Sequence, residues 1–328
     1  MAVKALITGI SGQDGSYLTE FLLEKGYEVH GIVLKSGLEN PAQSLWRLSN
    51  VLHKITLHSG SIESYPSILK IVKKIQPDEC YHLAATSYVS YSFEDEFSIF
   101  NANVNGTHYI LSVLKEAVPE CRFYFAGSSE MFGRAETSPQ NEKTPFHPRS
   151  AYGITKVTGY YLTCNYRDNY GMYACNGILY NHESPRRGHE FVTRKITHGA
   201  AQIKLGLAKH LYLGNLESIR DWGFSGDYVK AMWMMLQQEH PGDYVIASGI
   251  PHTVREVCEI AFSYLGMDYR DFVKTDSQFY RPNEVVPLIG DPSLAIKKLG
   301  WKPDYTFSDL ITMMVASDYN QLLTSGQC

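Results

Sequence analysis

Four residues of this 328-residue chain have the types and spacing to move protons at an alcohol. Tyr152 and Lys156 lie four apart in Ser150-Ala151-Tyr152-Gly153-Ile154-Thr155-Lys156, which puts both side chains on one face at the start of a helix. A phenol ordinarily ionises at about pH 10, and a neighbouring ammonium favours the phenolate. Tyr152 is therefore expected to titrate low enough to act as acid and base at a hydroxyl. One strand earlier, Phe123-Tyr124-Phe125-Ala126-Gly127-Ser128-Ser129-Glu130 ends a β-rich run in small residues, and its Ser128 is placed to hold the same substrate oxygen. Oxidising an alcohol needs only the tyrosine, the lysine and a hydroxyl. The carboxylate of Glu130 two residues on implies a second proton transfer, most simply removal of an acidified C–H beside a new ketone. The other reading of Glu130 is a helix-capping or loop glutamate.

Such residues need a scaffold, and the chain supplies one by alternating short β-rich runs with helical periodicity. Strands are expected at Lys4–Thr8, Glu28–Val33, Ile55–His58, Glu79–Ala84, Arg122–Ala126 and Tyr173–Leu179. Helices are expected over Tyr17–Lys25, Tyr65–Ile75, Phe97–Ala117 and Tyr152–Tyr170. The pattern calls for βαβ units in an α/β, doubly wound parallel sheet of Rossmann type. Between the first strand and helix, Thr8-Gly9-Ile10-Ser11-Gly12-Gln13-Asp14-Gly15 spaces glycines as GxxGxxG. Gly9 permits a tight turn, Gly12 lets backbone amides approach a pyrophosphate, and Gly15 lets the helix lie on the sheet. A nicotinamide dinucleotide would fit there, and its oxidised ring would add positive charge beside Tyr152; a purely structural glycine turn is the alternative. At the end of the second strand, an acid would take a ribose 2′-OH and a cation a 2′-phosphate. Lys35 and Ser36 stand there, with Arg47 as a second cation, which favours NADP while leaving NAD admissible; a solvated loop lysine is the other reading of Lys35.

Residues 1–180 are assigned to the dinucleotide-binding domain. After Asn181 the periodicity breaks up and Arg186, Arg187, Arg194, Lys195, Arg220 and Arg281 gather. Residues 181–328 are read as a smaller C-terminal α/β lobe for substrate, with some segments returning to the sheet. A net charge of −4 makes no field that would collect nucleic acid or an anionic membrane. The apolar runs fall far short of the ~20 residues a transmembrane helix needs, and a cytoplasmic protein is expected. The six cysteines form no CxxC pair and are read as buried thiols. The twelve histidines include no H-E-x-x-H, so no metal site is expected. Apolar and aromatic residues on more than one face of the two long helices, among them Ile99, Tyr109, Ile110, Val113, Tyr160, Tyr161 and Leu162, suggest a homodimer or homotetramer.

Several longer segments carry a resemblance: TGISGQDGSYLTEFLLEKGYEVHGI, GSSEMFG, TPFHPRSAYGITK, YACNGILYNHESPRRG, FVTRKI, LGNLESIRDWGFSGDYVKAMW and YRPNEVVPLIGDP. They resemble the GDP-mannose 4,6-dehydratases of the extended short-chain dehydrogenase/reductase family. The resemblance implies C4 oxidation of a GDP-linked hexose, elimination of water across C5 and C6, and hydride return to C6. It carries the catalytic roles to Ser128, Glu130, Tyr152 and Lys156. Cofactor contacts follow at Gly9, Ser11, Gly12, Gln13, Asp14, Gly15, Lys35, Ser61, Ile62, Leu83, Ala84, Ala85, His182 and Arg187, and also at Tyr152 and Lys156. GDP-sugar contacts follow at Ser87, Asn181, Val192, Lys195, Gly214, Arg220, Arg281 and Glu284, where arginine suits a diphosphate because it binds in bidentate fashion. Related GDP-sugars such as GDP-manno-heptose, and a 4-epimerase or 4-ketoreductase reaction, are the alternatives; the last two would need no Glu130. Two departures stand out. Many relatives follow the second strand with two arginines and a long serine-rich loop that reaches a neighbouring subunit, where this chain has Leu34-Lys35-Ser36-Gly37-Leu38-Glu39-Asn40. The acid usual near the adenine is replaced in His58-Ser59-Gly60-Ser61-Ile62-Glu63, where Ser61 and the backbone of Ile62 would hydrogen-bond the ring.

Overall fold

A computed structural model describes residues 2–86, 95–279 and 287–324. Three expected contacts, Ser87, Arg281 and Glu284, lie outside the described residues. Seven strands form one parallel sheet: β1 (Lys4–Thr8), β2 (Glu28–Val33), β3 (Thr56–Ser59), β4 (Glu79–His82), β5 (Arg122–Ala126), β6 (Ala174–Leu179) and β10 (Asp243–Ile246), in the order β10-β6-β5-β4-β1-β2-β3. Ala5, Leu6 and Ile7 of β1 are fully buried, as a strand with a partner on each edge and helices on each face must be. Strand order reverses between β1 and β4, and the ends of these strands form the crevice where ligands of such sheets bind. β10 comes from the C-terminal half and pairs with β6.

The helices show why the sequence places them where it does. Residues Tyr65–Ile75 open with a proline in the first turn and bury Ile68, Ile71, Val72 and Ile75, a single 3.6-period stripe. The helix Ala151–Tyr170 begins at Ser150, whose hydroxyl accepts the Gly153 amide, and stops at Gly171 with φ +67°. It lies close on β5 because Gly159 faces Phe125, whose ring would be 2.2 Å from an added Cβ. The stretch expected as one helix over Phe97–Ala117 is divided: α-helix at Glu96–Phe100, a π-helical turn at Asn101–Asn105, and α-helix again at Gly106–Ala117.

Beyond the sheet, β7 (Asn181–Glu183), β9 (Ile219–Phe224) and β11 (Pro251–Thr253) make a small mixed sheet, and β8 (Leu211–Leu213) pairs with β12 (Val273–Thr275). With the helices Val192–Lys204, Val254–Tyr264 and Phe307–Thr324 they enclose a second core of Ile196, Trp222, Val257, Phe262, Leu310 and Met314. The described cysteines are free, and all but Cys164 are buried. No described helix is long and apolar enough to cross a membrane. One expectation is corrected here. Ile99, Ile110 and Val113 are buried inside the protomer, so they do not face a partner; the exposed residues of the two long helices include Phe97, Phe100, Ile154, Tyr161 and Tyr170.

Candidate active site

The crevice over β1, β4 and β5 opens into a cavity of about 1180 Å³. That exceeds the ~300–1,000 Å³ of a typical small-molecule pocket and leaves room for two large ligands side by side. One end is the glycine-rich turn, where Gly9, Ser11, Gly12, Gln13, Asp14 and Gly15 line the wall with Leu83, Ala84 and Ala85. The glycines are required by contact as well as by conformation. Gly9 has φ +74° and its added Cβ would meet the Ala84 amide at 2.8 Å, while one at Gly15 would lie 2.3 Å from the Gly9 carbonyl. A turn this tight, with backbone amides at the start of the helix Gln13–Glu24, fits a pyrophosphate.

At the middle of the cavity stand Ser128, Glu130, Tyr152 and Lys156. Ser128 follows β5 and its hydroxyl accepts the Glu130 amide at 3.2 Å, which opens a short 3₁₀ turn over Ser129–Met131. The helix carrying Tyr152 and Lys156 abuts this turn: an added Cβ at Gly153 would sit 2.7 Å from the Glu130 carbonyl. Tyr152 and Lys156 are both buried. The Lys156 ammonium donates to the Ala126 carbonyl at 2.7 Å and stands 5.7 Å from the Tyr152 ring centre. Burial pushes its pKa down to about 8, with Asp14 opposing.

The expected low pKa of Tyr152 is not what the site gives. Burial carries the phenol up to about 12, the hydrogen bond with Ser128 lowers it, and the Glu130 charge raises it. Lys156 is turned to a backbone carbonyl, so desolvation dominates in the protein by itself.

At the glycine-rich end, Asp14 accepts from His182 Nε2 at 2.8 Å and from the Ser225 hydroxyl at 2.7 Å. The other ring nitrogen of His182 is 2.7 Å from the Tyr180 carbonyl. Both neighbours of the ring are acceptors, so both ring nitrogens donate and His182 is an imidazolium. Burial works against that charge, and the Asp14 carboxylate outweighs it and raises the pKa. Burial likewise opposes the Asp14 charge, but His182, Ser225 and Arg187 hold its carboxyl down at about 2. Gln13 completes the tie, donating to the His182 carbonyl at 3.0 Å and accepting from Ser184 at 2.8 Å.

The far end is built by the second core. Asn181 and His182 come from β7, Val192 opens the helix Val192–Lys204 with Lys195 one turn on, and Gly214, Arg220 and Arg187 complete the wall. Asp221, beside Arg220, is buried and accepts from Ser248 N and Oγ, Gly249 N and Gly290 N, which anchors this edge. The cavity thus gathers the expected glycine-rich, catalytic and distal residues. It does not include Lys35, Ser61 or Ile62. Lys35 is exposed and faces Glu39 at 3.6 Å; Ser61 accepts the Glu63 amide, and Ile62 packs on Gly106.

Sequence reasoning missed a buried polar chain beneath the floor. The Ala84 amide donates to Thr8 Oγ1 at 3.2 Å, and Thr8 meets His82 Nδ1 at 2.8 Å. His82 Nε2 lies 3.1 Å from Thr107 Oγ1, whose proton goes to the Asn103 carbonyl at 2.6 Å. That leaves Thr107 only as acceptor, so His82 carries its proton on Nε2 and accepts from Thr8 on Nδ1. Burial, then Lys156, depress the His82 pKa to about 3 and keep the ring neutral. Asn103, in the π-helical turn, donates to Thr155 at 3.0 Å and accepts the Thr86 amide at 3.0 Å; Thr155 in turn donates to the Tyr152 carbonyl at 2.8 Å. Its members span residues 8 to 155, with no local spacing to mark them.

Comparison with known proteins adds the following. A family model described as GDP-mannose 4,6 dehydratase matches residues 6–314. GDP-mannose 4,6 dehydratase 1 of Arabidopsis thaliana is 49% identical over 323 residues, covering 96% of this chain and 89% of the plant protein. The GDP-mannose 4,6-dehydratase of Vibrio cholerae serotype O1 is 45% identical over 350 residues, covering 97% and 94%. Among solved structures, a dTDP-glucose 4,6-dehydratase of Streptomyces venezuelae with NAD bound superposes with a TM-score of 0.86 over 98% of each chain at 22% identity. The UDP-glucose 4-epimerase of Thermotoga maritima superposes with a TM-score of 0.85, over 98% of this chain and 100% of that one, at 22% identity. At such identities the structures speak for the fold alone.

Proposed function

The chain belongs to the GDP-mannose 4,6-dehydratase family, and from that premise we propose that it converts GDP-mannose to GDP-4-keto-6-deoxymannose and water with Ser128, Glu130, Tyr152 and Lys156 as its catalytic set. What carries the reading is the meeting of Glu130 with the Ser128 and Tyr152 hydroxyls in the cavity that also holds the glycine-rich turn.

The turn Gly9–Gly15, Leu83–Ala85, His182 and Arg187 fit a nicotinamide dinucleotide, by the closeness of their backbone and their charge. When bound, it would supply the acceptor for the C4 hydride and the donor that returns it at C6, so no external oxidant or reductant would be consumed. Tyr152 accepts the C4 hydroxyl proton while Ser128 holds the same oxygen. The acceptor form is the phenolate, which Lys156, charged below about pH 8 and tied to Ala126, and the positive charge of the oxidised dinucleotide would together favour over the phenol of the protein by itself. The C4 ketone acidifies C5–H. Glu130 removes that proton and passes it to the C6 oxygen, which departs as water. Hydride addition at C6 and protonation at C5 complete the 6-deoxy centre. At the distal end, Lys195 and Arg220 hold the diphosphate, with Asn181, Val192 and Gly214 beside it.

The protein acts as an assembly of at least two copies through the long helices. Phe97 is 91% exposed and Tyr161 59%, with Phe100, Ile154 and Tyr170 also exposed, more apolar surface than these two helices would leave in water unpaired. Mass spectrometry of purified protein incubated with GDP-mannose tests the activity: loss of one water without added reductant supports it, and unchanged GDP-mannose sinks it.

A further inference from the structure

Reading the ribose 2′ position is what separates NADP from NAD, and the residue that follows β2 is not built for it. Neither Lys35 nor Arg47 lines the cavity itself, but Lys35 is a solvent-exposed ammonium that faces Glu39 one turn along. Positive charge collects elsewhere, where Arg47, Arg186, Arg187 and Arg194 come together beside the glycine-rich turn. Three of the four lie within ion-pair distance of a carboxylate: Arg186 has Glu20 at 2.7 Å, Arg194 has Asp318 at 2.7 Å, and Arg187 has Glu183 at 3.2 Å, close enough for charge although its buried Nε makes no hydrogen bond.

Arg47 differs. Its Nε donates to the Arg186 carbonyl at 2.7 Å and its Nη1 to the Ser11 carbonyl at 3.4 Å, and its guanidinium lies 4.4 Å from the Trp46 ring. Those partners are neutral. Among the described residues no carboxylate comes within ion-pair distance, and Nη2 donates to no protein group. Burial acts on it first and lowers its pKa; the Glu190 carboxylate is the strongest single charge and opposes this, and Arg194, Arg186 and Arg187 add to the lowering. A half-buried guanidinium in surplus positive charge is short of an anion. It is short of one at Ser11, between Gly9 and Gly12, in the turn that would hold the pyrophosphate and so bring the adjoining ribose nearby. A planar guanidinium fixed from one side and open at Nη2 suits the oxygens of a phosphate monoester.

We propose that Arg47, held on the Ser11 carbonyl by the short helical segments that follow β2, reads the 2′-phosphate of bound NADP and sets the preference over NAD. This rests on the dinucleotide site proposed above.

Calorimetric titration with NADP and NAD, and with 2′,5′-ADP against 5′-AMP to isolate the adenosine half, tests it on the parent, Arg47→Met, Arg47→Lys and Lys35→Ala. Methionine keeps an apolar stem on Trp46 and removes the charge. Arg47→Met is expected to weaken NADP and 2′,5′-ADP by about tenfold or more, the scale of one charge-assisted contact, and to leave NAD and 5′-AMP within about twofold. Arg47→Lys should fall between, and Lys35→Ala should change neither dinucleotide by more than about twofold. Loss of the NADP preference in Lys35→Ala but not in the Arg47 variants overturns the proposal, as does equal weakening of both dinucleotides in Arg47→Met and Arg47→Lys. Equal affinities in a parent that binds both defeat this inference alone. A parent that binds neither defeats the dinucleotide site as well.

Discussion

Glu130 is held by its own backbone before its carboxylate does anything. Its amide is bonded to Ser128 and its carbonyl is pressed by the first turn of the helix that carries Tyr152, so the backbones that carry carboxylate and phenol are fixed relative to one another. Glu130→Gln keeps the volume and removes the proton acceptor. Dehydration should fall by ~10²–10⁴, the usual contribution of a general base, with dinucleotide binding unchanged; a rate within threefold of the parent would exclude Glu130 as the base. Asp14 offers a test by pH. Its folded pKa, about 2 against 3.8, means that its contribution is fully present above pH ~4 and is lost as the pH falls through about 2. His182, raised from 6.5, contributes below that value and loses its share as the pH climbs through its folded pKa. Parent and Asp14→Asn should therefore differ by about 2 kcal/mol in urea unfolding between pH 5 and 6, and by less toward either extreme. A gap that stays flat from pH 3 to pH 9 would show that the pair is not the source. Tyr152, Lys156, Ser128 and Glu130 were legible in the sequence because short local spacing placed each beside its strand or helix end. The acidity of Tyr152 was not, since it depends on burial and on where the lysine points.

Strand and helix positions followed closely from hydrophobic period, with β1, β2, β5 and the helix Tyr65–Ile75 matching at both ends. The π-helical turn at Asn101–Asn105 did not, because five residues of shifted bonding leave no mark on a 3.6-residue period. Its cause lies in distant parts of the chain: Asn103 is engaged by Thr86 and Thr155, and its carbonyl by Thr107. Thr107→Val would keep the shape but leave His82 Nε2–H without its acceptor, at a cost of ~1–3 kcal/mol. Thr107→Ser should recover most of that. Chemical denaturation of the two variants decides it, and equal stability for valine and serine would mean that the hydroxyl carries no weight. Because the chain of bonds ends at the Tyr152 carbonyl, kcat should drop in the valine variant by more than KM rises.

For the molecule as a whole, the break in periodicity after Asn181 suggests two regions but carries no sign of how they would interlock. The cavity lies between the sheet and the second core, so neither region holds the site by itself. Light scattering at micromolar concentration should give at least twice the mass of one chain, and a monomer there would refute the helix pairing. Arg194 adds a different consequence. It is buried between Asp318 of the helix Phe307–Thr324 and the carbonyls of Pro185 and Arg187, so the loop that presents Arg187 to the cavity is braced by one of the last elements in the chain. On the ribosome the N-terminal strands emerge long before that helix does. A nascent chain that lacks this helix holds Arg194 without its carboxylate, so firm dinucleotide binding is expected only after residue 318 has been made.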